Sequence, residues 1–137
     1  IIEELGNDHN SINLLKEKLS GTNANLVYLF PESFSQSTDL NPKAVELLKQ
    51  VRNEYVLTGK IDYLIFNSLL MMNFHEAAGD NFLNNRFIAI DIESGKNIFE
   101  ETLNQKITAF IPDSFFMIND VLLLLKNKNE VIVCSIK

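Results

Sequence analysis

A histidine and two carboxylates lie close together near the middle of the sequence, and side chains of these types can do chemistry. His75 and Glu76 end a hydrophobic segment, and Asp80 lies in the polar stretch that follows. Such groups bind a metal ion or transfer a proton when the fold brings them together. His9 is the only other histidine, and no helical or strand spacing makes the set converge. We therefore expect neither a metal site nor a catalytic centre, and we expect His75 to be exposed at the end of a strand.

Acidic residues surround a turn further along the chain, namely Asp91, Glu93, Glu100 and Glu101. Glycosidases use paired carboxylates, but their pairs lie in a concave cleft. A short hairpin presents its carboxylates to water instead. An aspartate at the start of a turn can accept the backbone N–H groups of the residues that follow it. We expect Asp91 to stabilise the turn through Glu93 and Ser94, with Gly95 in the left-handed conformation.

Motifs of the common nucleophilic and nucleotide-binding enzymes are absent from the sequence. The serine-rich stretch Pro31–Asn41 contains no G-x-S-x-G elbow, and neither histidine has a motif that would pair with it. The five glycines are dispersed, so the sequence contains no glycine-rich phosphate loop. The sequence therefore indicates a protein that is not an enzyme and has no cofactor. A small hydrolase is the third interpretation.

The composition indicates one acidic domain with a sizeable core. The 137 residues are 46% hydrophobic, enough for a single domain over residues 1–137, or for an accessory domain of a longer protein. The net charge of −6 argues against nucleic acid, because phosphate binding needs clustered Lys and Arg. The most apolar stretch, Tyr63–Met72, is too short to span a bilayer. One cysteine, Cys134, rules out an intrachain disulfide, and the chain fits either the cytoplasm or export after removal of a signal.

The main helix is predicted over about residues 41–58. Asn41-Pro42 is a strong start, because asparagine caps a helix and proline suits its first position. Gly59 is expected to end it. The apolar side of this helix is formed by Val45, Leu48, Val51 and Tyr55.

Three further elements are predicted in the first half of the chain. A short helix is expected at about residues 10–20 and a strand over Asn25–Phe30. The stretch Ile61–Glu76 is rich in aromatic and aliphatic residues and alternates, so it predicts a strand or two strands with a break at Asn67-Ser68. A buried helix over Leu64–Phe74 is the competing interpretation, because periodicity does not separate the two in short apolar runs.

The second half predicts an antiparallel meander. Its segments are Arg86–Ile92, Asn97–Leu103, Lys106–Ile111, Ser114–Ile118, Val121–Leu125 and Glu130–Ile136. Short segments separated by Asn, Asp, Gly and Pro are typical of strands joined by tight turns. The leucine run after Val121 shows no polar alternation, so that strand is expected to be covered on both faces. The predicted fold class is α+β, with about five to seven mostly antiparallel strands, the 41–58 helix packed on one face and a short N-terminal helix.

The C-terminal part of the chain also resembles one blade of a β-propeller. The resemblance rests on Ile90–Lys96, Phe99-Glu100, Asp120–Leu124 and Glu130–Val133, within Arg86–Lys137. It is most similar to the pyrroloquinoline-quinone-type repeats and to bacterial propeller-like proteins. Phe99 stands where that repeat family usually has tryptophan, and the chain contains no tryptophan. The resemblance therefore implies a four-stranded meander, and it does not imply a quinone cofactor or dehydrogenase chemistry.

The segment Ser114–Ile118 suggests an interface. Its bulky residues Phe115, Phe116 and Met117 are consecutive, so a strand with two faces must place at least one of them on the outer face. An exposed phenylalanine at this position would favour a protein partner.

Taken together, these patterns favour a non-catalytic binding or protein–protein interaction module. Its partner would be another protein or a second copy of the chain, bound through a sheet edge or through the 114–118 strand. The alternative is a fragment of a bacterial propeller-like, extracytoplasmic ligand-binding protein. The two interpretations differ at Glu130–Ile136, where a paired strand favours the module and an open edge favours missing blades or a dimer partner.

Overall fold

The computed structural model describes residues 2–6, 13, 16, 26–35 and 40–136. The chain divides into two compact units, one formed by Ile1–Phe30 with Asp113–Lys137 and the other by Pro31–Pro112. We call them the terminal unit and the central unit. The helix predicted at about residues 10–20 lies outside the described residues, apart from residues 13 and 16, and His9 also lies outside them. The single domain over residues 1–137 stays a prediction.

Each unit contains one five-stranded sheet. In chain order the elements are β1 (Ile2–Gly6), β2 (Tyr28–Leu29), β3 (Glu32–Ser33), α1 (Pro42–Glu54), β4 (Leu57–Phe66), β5 (Leu69–Ala77), β6 (Leu83–Asp91), β7 (Asn97–Ile107), β8 (Phe115–Ile118), β9 (Val121–Lys126) and β10 (Glu130–Ile136). The terminal sheet has the order β1-β10-β9-β8-β2 and the central sheet β3-β4-β5-β6-β7. The α+β class with antiparallel strands is confirmed, but the expected five to seven strands is wrong, since the described residues form more.

The start of α1 follows from the sequence. The side chain of Asn41 accepts a hydrogen bond from the backbone N–H of Lys43 at 2.9 Å, which satisfies one of the free donors of the first turn. Pro42 occupies the first helical position, where its missing N–H costs nothing.

The predicted end of this helix near residue 58 is wrong. The helix ends at Glu54, and Tyr55 is already extended. From Leu57 onwards the chain pairs with β5, so a ladder of strand hydrogen bonds replaces the last helical turn. Gly59 does not end the helix; it lies within β4, where its φ of 83° accompanies a shift in the pairing register.

The hydrophobic stretch after α1 forms two strands joined at Asn67-Ser68. Asn67 has a φ of 56°, a left-handed conformation that asparagine tolerates in tight hairpins. Pairing begins at Phe66 opposite Leu69 and continues along β4 and β5. The predicted break is confirmed, and the competing helix over Leu64–Phe74 is wrong.

One face of the central sheet packs against α1. The core on this face consists of Phe34, Ala44, Leu48, Val51, Ile61, Tyr63, Leu70, Met72, Phe74, Ile88, Ile90 and Ile92. Because successive side chains of a strand point to opposite faces, Met71, Asn73 and His75 of β5 lie on the other face, which we call the second face. Met71 and Phe87 are fully buried there. Burying a side chain of this size contributes about 1.5–3 kcal/mol, so both faces stabilise the sheet.

The strand β7 is longer than predicted. The turn predicted between the segments Asn97–Leu103 and Lys106–Ile111, at Asn104-Gln105, is wrong, because Asn97–Ile107 is one strand. Asn104 and Gln105 lie instead in an irregular part of the ladder between β6 and β7. The pairing register shifts on both sides of Asn85, and Lys106 has a left-handed backbone with a φ of 49°. The predicted strand Lys106–Ile111 is also wrong, since residues 108–112 leave the sheet.

The centre of the terminal sheet is β9. Val121, Leu122, Leu123 and Leu124 are all buried, which confirms that this strand is covered on both faces. Strand β10 lies between β1 and β9. It pairs with β9 over residues 130–135 and with β1 over residues 133–136, so β10 is not an edge strand of this sheet. The segments that carry the propeller-blade resemblance are divided between the two sheets, in β6 and β7 and in β9 and β10, and the resemblance itself stays a prediction.

Candidate functional site

The structure does not bring His75, Glu76 and Asp80 together. His75 lies on the second face of β5, whereas Glu76 lies on the α1 face and bonds to Arg86 there. Asp80 is exposed in the turn between β5 and β6. Neighbouring residues of a strand point to opposite faces, so His75 and Glu76 cannot share a ligand. Within the described part of the chain, no group of three or more His, Cys, Asp or Glu residues is arranged to hold a metal ion.

His75 is buried, and the predicted exposure of this side chain is wrong. The backbone N–H of Ile111 donates a hydrogen bond to Nε2 of His75 at 3.0 Å. The ring of Phe110 meets the imidazole edge-on, with the ring centroids 5.0 Å apart. Burial lowers the pKa of His75, and the nearby carboxylate of Asp62 offsets part of this effect by raising it. The imidazole is therefore held neutral, as a hydrogen-bond acceptor.

Buried asparagines surround His75 on the second face. Nδ2 of Asn73 donates to Oδ1 of Asn85 at 2.6 Å and to the carbonyl of Arg86 at 2.8 Å. Asn85 lies opposite both His75 on β5 and Asn104 on β7. Nδ2 of Asn104 is buried and has no hydrogen-bond partner among the described residues. Sequence reasoning missed this polar group, although an asparagine within the apolar run before His75 was a visible signal for it.

A second polar group lies on the α1 face. Nη1 of Arg86 is 3.0 Å from Oε1 of Glu76, and its Nη2 is 2.9 Å from Oε1 of Glu100. The hydroxyl of Tyr55 also donates to Glu100, at 2.9 Å, and the guanidinium lies over the ring of Tyr55. Burial and, next, this hydrogen bond raise the pKa of Tyr55 to about 12. Every charge in the group is paired, so this cluster connects Tyr55, the residue that follows α1, to β5, β6 and β7.

The turn after Asp91 forms as predicted. Oδ2 of Asp91 accepts hydrogen bonds from the hydroxyl of Ser94 at 2.7 Å and from its backbone N–H at 3.2 Å. Gly95 has a φ of 74°, which confirms its left-handed conformation. The hydroxyl bond from Ser94 lowers the pKa of Asp91. These contacts explain the aspartate as a turn residue.

Of the predicted interface residues, only Phe116 reaches the surface. Phe115 and Met117 are buried, and Phe116 is half-buried. The ring of Phe116 stacks on Phe30 at 5.8 Å, and Phe30 stacks on Tyr28 at 6.4 Å. We call these three residues, Tyr28, Phe30 and Phe116, the β2 aromatic edge. Sequence reasoning missed Tyr28 and Phe30, which are 51% and 64% exposed, because it treated that segment only as a strand.

Within the described residues, β2 is an edge strand of the terminal sheet. The carbonyl of Val27 accepts the N–H of Asn119, and the N–H of Val27 donates to Oδ1 of Asn119, so the backbone groups of Val27 face β8. Peptide groups alternate sides along a strand, so those of Tyr28 point away from the sheet. The edge therefore offers hydrogen-bonding backbone groups next to exposed aromatic rings.

Comparison of the chain with protein-family models, with curated proteins and with solved structures gives no match. In the part of the chain that the structure describes, no helix has the length and apolar character needed to cross a membrane.

Proposed function

We propose that this chain is a non-catalytic protein-interaction module whose binding surface is the β2 aromatic edge and whose partner is a second copy of the chain. The observation that carries the proposal is the coincidence, at one sheet edge, of outward-pointing backbone groups with the exposed rings of Tyr28 and Phe30. A strand that pairs on one side only, as β2 does among the described residues, is a template for pairing with another strand.

Charge does not oppose a second copy as the partner at this edge. The chain has a net charge of −6, so two copies repel each other over most of their surfaces. The stretch Leu26–Pro31 contains no charged side chain. Antiparallel pairing of β2 with the same strand of a second copy therefore places no like charges opposite one another within this stretch.

The arrangement of the rings also fits a two-fold dimer. Antiparallel pairing of identical strands places the symmetry axis perpendicular to the sheet, so the same face of both copies points the same way. Tyr28 and Phe30 lie on one face because they are two residues apart. The rings of both copies would meet on that face. They would extend the apolar cluster that Phe116 forms with Ile118, Val121, Leu123, Val131 and Val133.

Sedimentation equilibrium tests this function. We expect the wild-type chain to reach twice the mass of one chain as its concentration rises. Phe30→Asp should weaken association at least about tenfold, because it removes stacked apolar area and places two carboxylates near the two-fold axis. Phe82→Asp is the matched control, since Phe82 is an exposed phenylalanine of the central unit. This variant should associate as the wild type does.

Three outcomes would overturn the proposal. The first is a wild-type chain that stays monomeric at every concentration, and the second is a Phe30→Asp variant that remains dimeric. The third is an assembly that grows beyond a dimer, because isologous pairing of one edge is closed. A circular dichroism spectrum that matches the wild type ensures that the Phe30→Asp result reports on association rather than on folding.

A further inference from the structure

We propose that His75 is a pH-sensitive latch for residues 108–112. While its imidazole is neutral, His75 holds this segment through contacts with Ile111 and Phe110. When the imidazole is protonated, His75 releases the segment. The segment follows β7 and leaves the central sheet, so its position depends on the contacts it makes beyond the ladder. The proposal concerns the central unit alone and does not depend on how β2 associates.

The hydrogen bond between Ile111 and His75 fixes the protonation state of the closed form. Nε2 of His75 accepts the backbone N–H of Ile111 at 3.0 Å, so this nitrogen must carry a lone pair. The neutral imidazole therefore has its proton on Nδ1. A second proton can go only to Nε2, where it would point at the N–H of Ile111. Protonation thus replaces a hydrogen bond by two opposed donors.

The contact between His75 and Phe110 makes the position of the phenylalanine ring depend on the same protonation of His75. The ring lies perpendicular to the imidazole of His75 and also covers Gly59, where an added Cβ would lie 3.0 Å from the ring. Phe110 is nevertheless 54% exposed, so little apolar burial opposes its departure. Loss of the Ile111 bond is therefore expected to release Phe110 as well.

Few charges surround His75. Its register partners, Thr58 on β4 and Asn85 on β6, are uncharged, and residues 108–112 contain no titratable side chain. Lys60 on β4 and Lys106 on β7 are exposed. Asp62 on β4 is the one carboxylate among the described residues that raises the pKa of His75, and burial outweighs it, so the pKa is lowered. Asp62 does not stabilise the imidazolium enough to keep the closed form protonated.

The sign of the pH dependence follows from the lowered pKa. In the open form the imidazole is solvated and titrates near the ordinary histidine value of about 6.5. The closed form binds its proton only at lower pH. The closed form thus has its full stability relative to the open form above about pH 6.5. It loses this stability as the pH falls towards the lowered pKa of His75. Between the two values, the opening constant should rise about tenfold per pH unit, since one proton is taken up on opening.

Amide hydrogen exchange measured by NMR tests the latch. We expect the protection factor of the Ile111 amide, corrected for intrinsic exchange, to be constant above about pH 6.5 and to fall about tenfold per unit below it. The amide of Phe34 is the internal control, because it bonds to the carbonyl of Ile61 within the same unit and contacts no titrating group in that bond. The protection factor of the Phe34 amide should not show the same fall below about pH 6.5.

Two variants separate a latch from a general loss of stability. His75→Gln keeps a side-chain acceptor that does not titrate, so Ile111 should stay protected without the pH step. His75→Leu removes the acceptor, so Ile111 should exchange rapidly at every pH while Phe34 stays protected. The proposal is overturned if wild-type Ile111 protection is flat through the titration of His75, which its ring-proton shifts report. It is equally overturned if His75→Gln retains the step.

Discussion

At the residue scale, Arg86 shows how two carboxylates can lie near one another on a sheet face without forming a reactive pair. The guanidinium bonds to Glu76 and to Glu100, and its side chain is only 19% exposed. Water therefore screens the bond to Glu76 weakly, since the Glu76 side chain is 17% exposed, and it screens the bond to Glu100 more, since that side chain is 39% exposed. Removing the guanidinium would leave the largely buried carboxylate of Glu76 without its cation, which costs more than the lost hydrogen bond alone.

We predict that Arg86→Met lowers the free energy of unfolding by about 2–3 kcal/mol, measured by urea denaturation. Lys43→Met is the control, because the Lys43–Glu93 pair is 3.7 Å long and both side chains are well exposed. Its effect should stay within about 0.5 kcal/mol. Equal losses in the two variants would show that the Arg86 cluster is no stronger than an ordinary surface ion pair.

Single residues were predictable where their role is local. Asp91 and Gly95 act on neighbours within a few positions, so the turn could be predicted from the sequence alone. His75 could not, because its burial depends on Ile111 and Phe110, which lie far along the chain and belong to no regular element. The buried asparagines were missed for the same reason, since strand register brings them together.

At the scale of elements, α1 shows what capping contributes. The side chain of Asn41 accepts the N–H of Lys43, and Pro42 offers no N–H of its own. We predict that Asn41→Ala lowers the free energy of unfolding by about 0.5–2 kcal/mol, and that Asn41→Asp retains most of the wild-type value. Urea denaturation followed by far-ultraviolet circular dichroism measures both. An alanine variant as stable as the wild type would mean that water replaces the cap without cost.

Element boundaries were harder to predict than element types. The start of α1 and the break between β4 and β5 have local chemical causes, a cap and a left-handed asparagine. The end of α1 is decided by competition, because residues from Leu57 onwards gain strand pairing with β5. In β7 the Asn104-Gln105 pair looked like a turn, but pairing with β6 absorbs it as a register shift. Tertiary pairing overrides a weak local signal in both places.

At the scale of the whole molecule, the division into two sheets was not predictable from strand spacing. A series of hairpins has the same spacing of strands and turns in the sequence whether its strands form one sheet or two. The terminal sheet depends on pairing between distant segments, β1 with β10 and β2 with β8. In the part of the chain that the structure describes, this pairing leaves β2 at an edge, which is why its exposed rings could be found only from the structure.

Self-association through β2 has a consequence for thermal stability that the sedimentation experiment does not measure. Binding that requires the folded chain stabilises it by mass action, so the wild-type Tm should rise with protein concentration. Phe30→Asp should keep one Tm at all concentrations, close to the wild-type value at high dilution, because Phe30 is largely exposed in the monomer. Scanning calorimetry over a dilution series measures both, with Phe82→Asp as the variant that should follow the wild type. A wild-type Tm that does not change with dilution would mean that self-association does not stabilise the folded chain. That result would contradict the proposed β2 dimer.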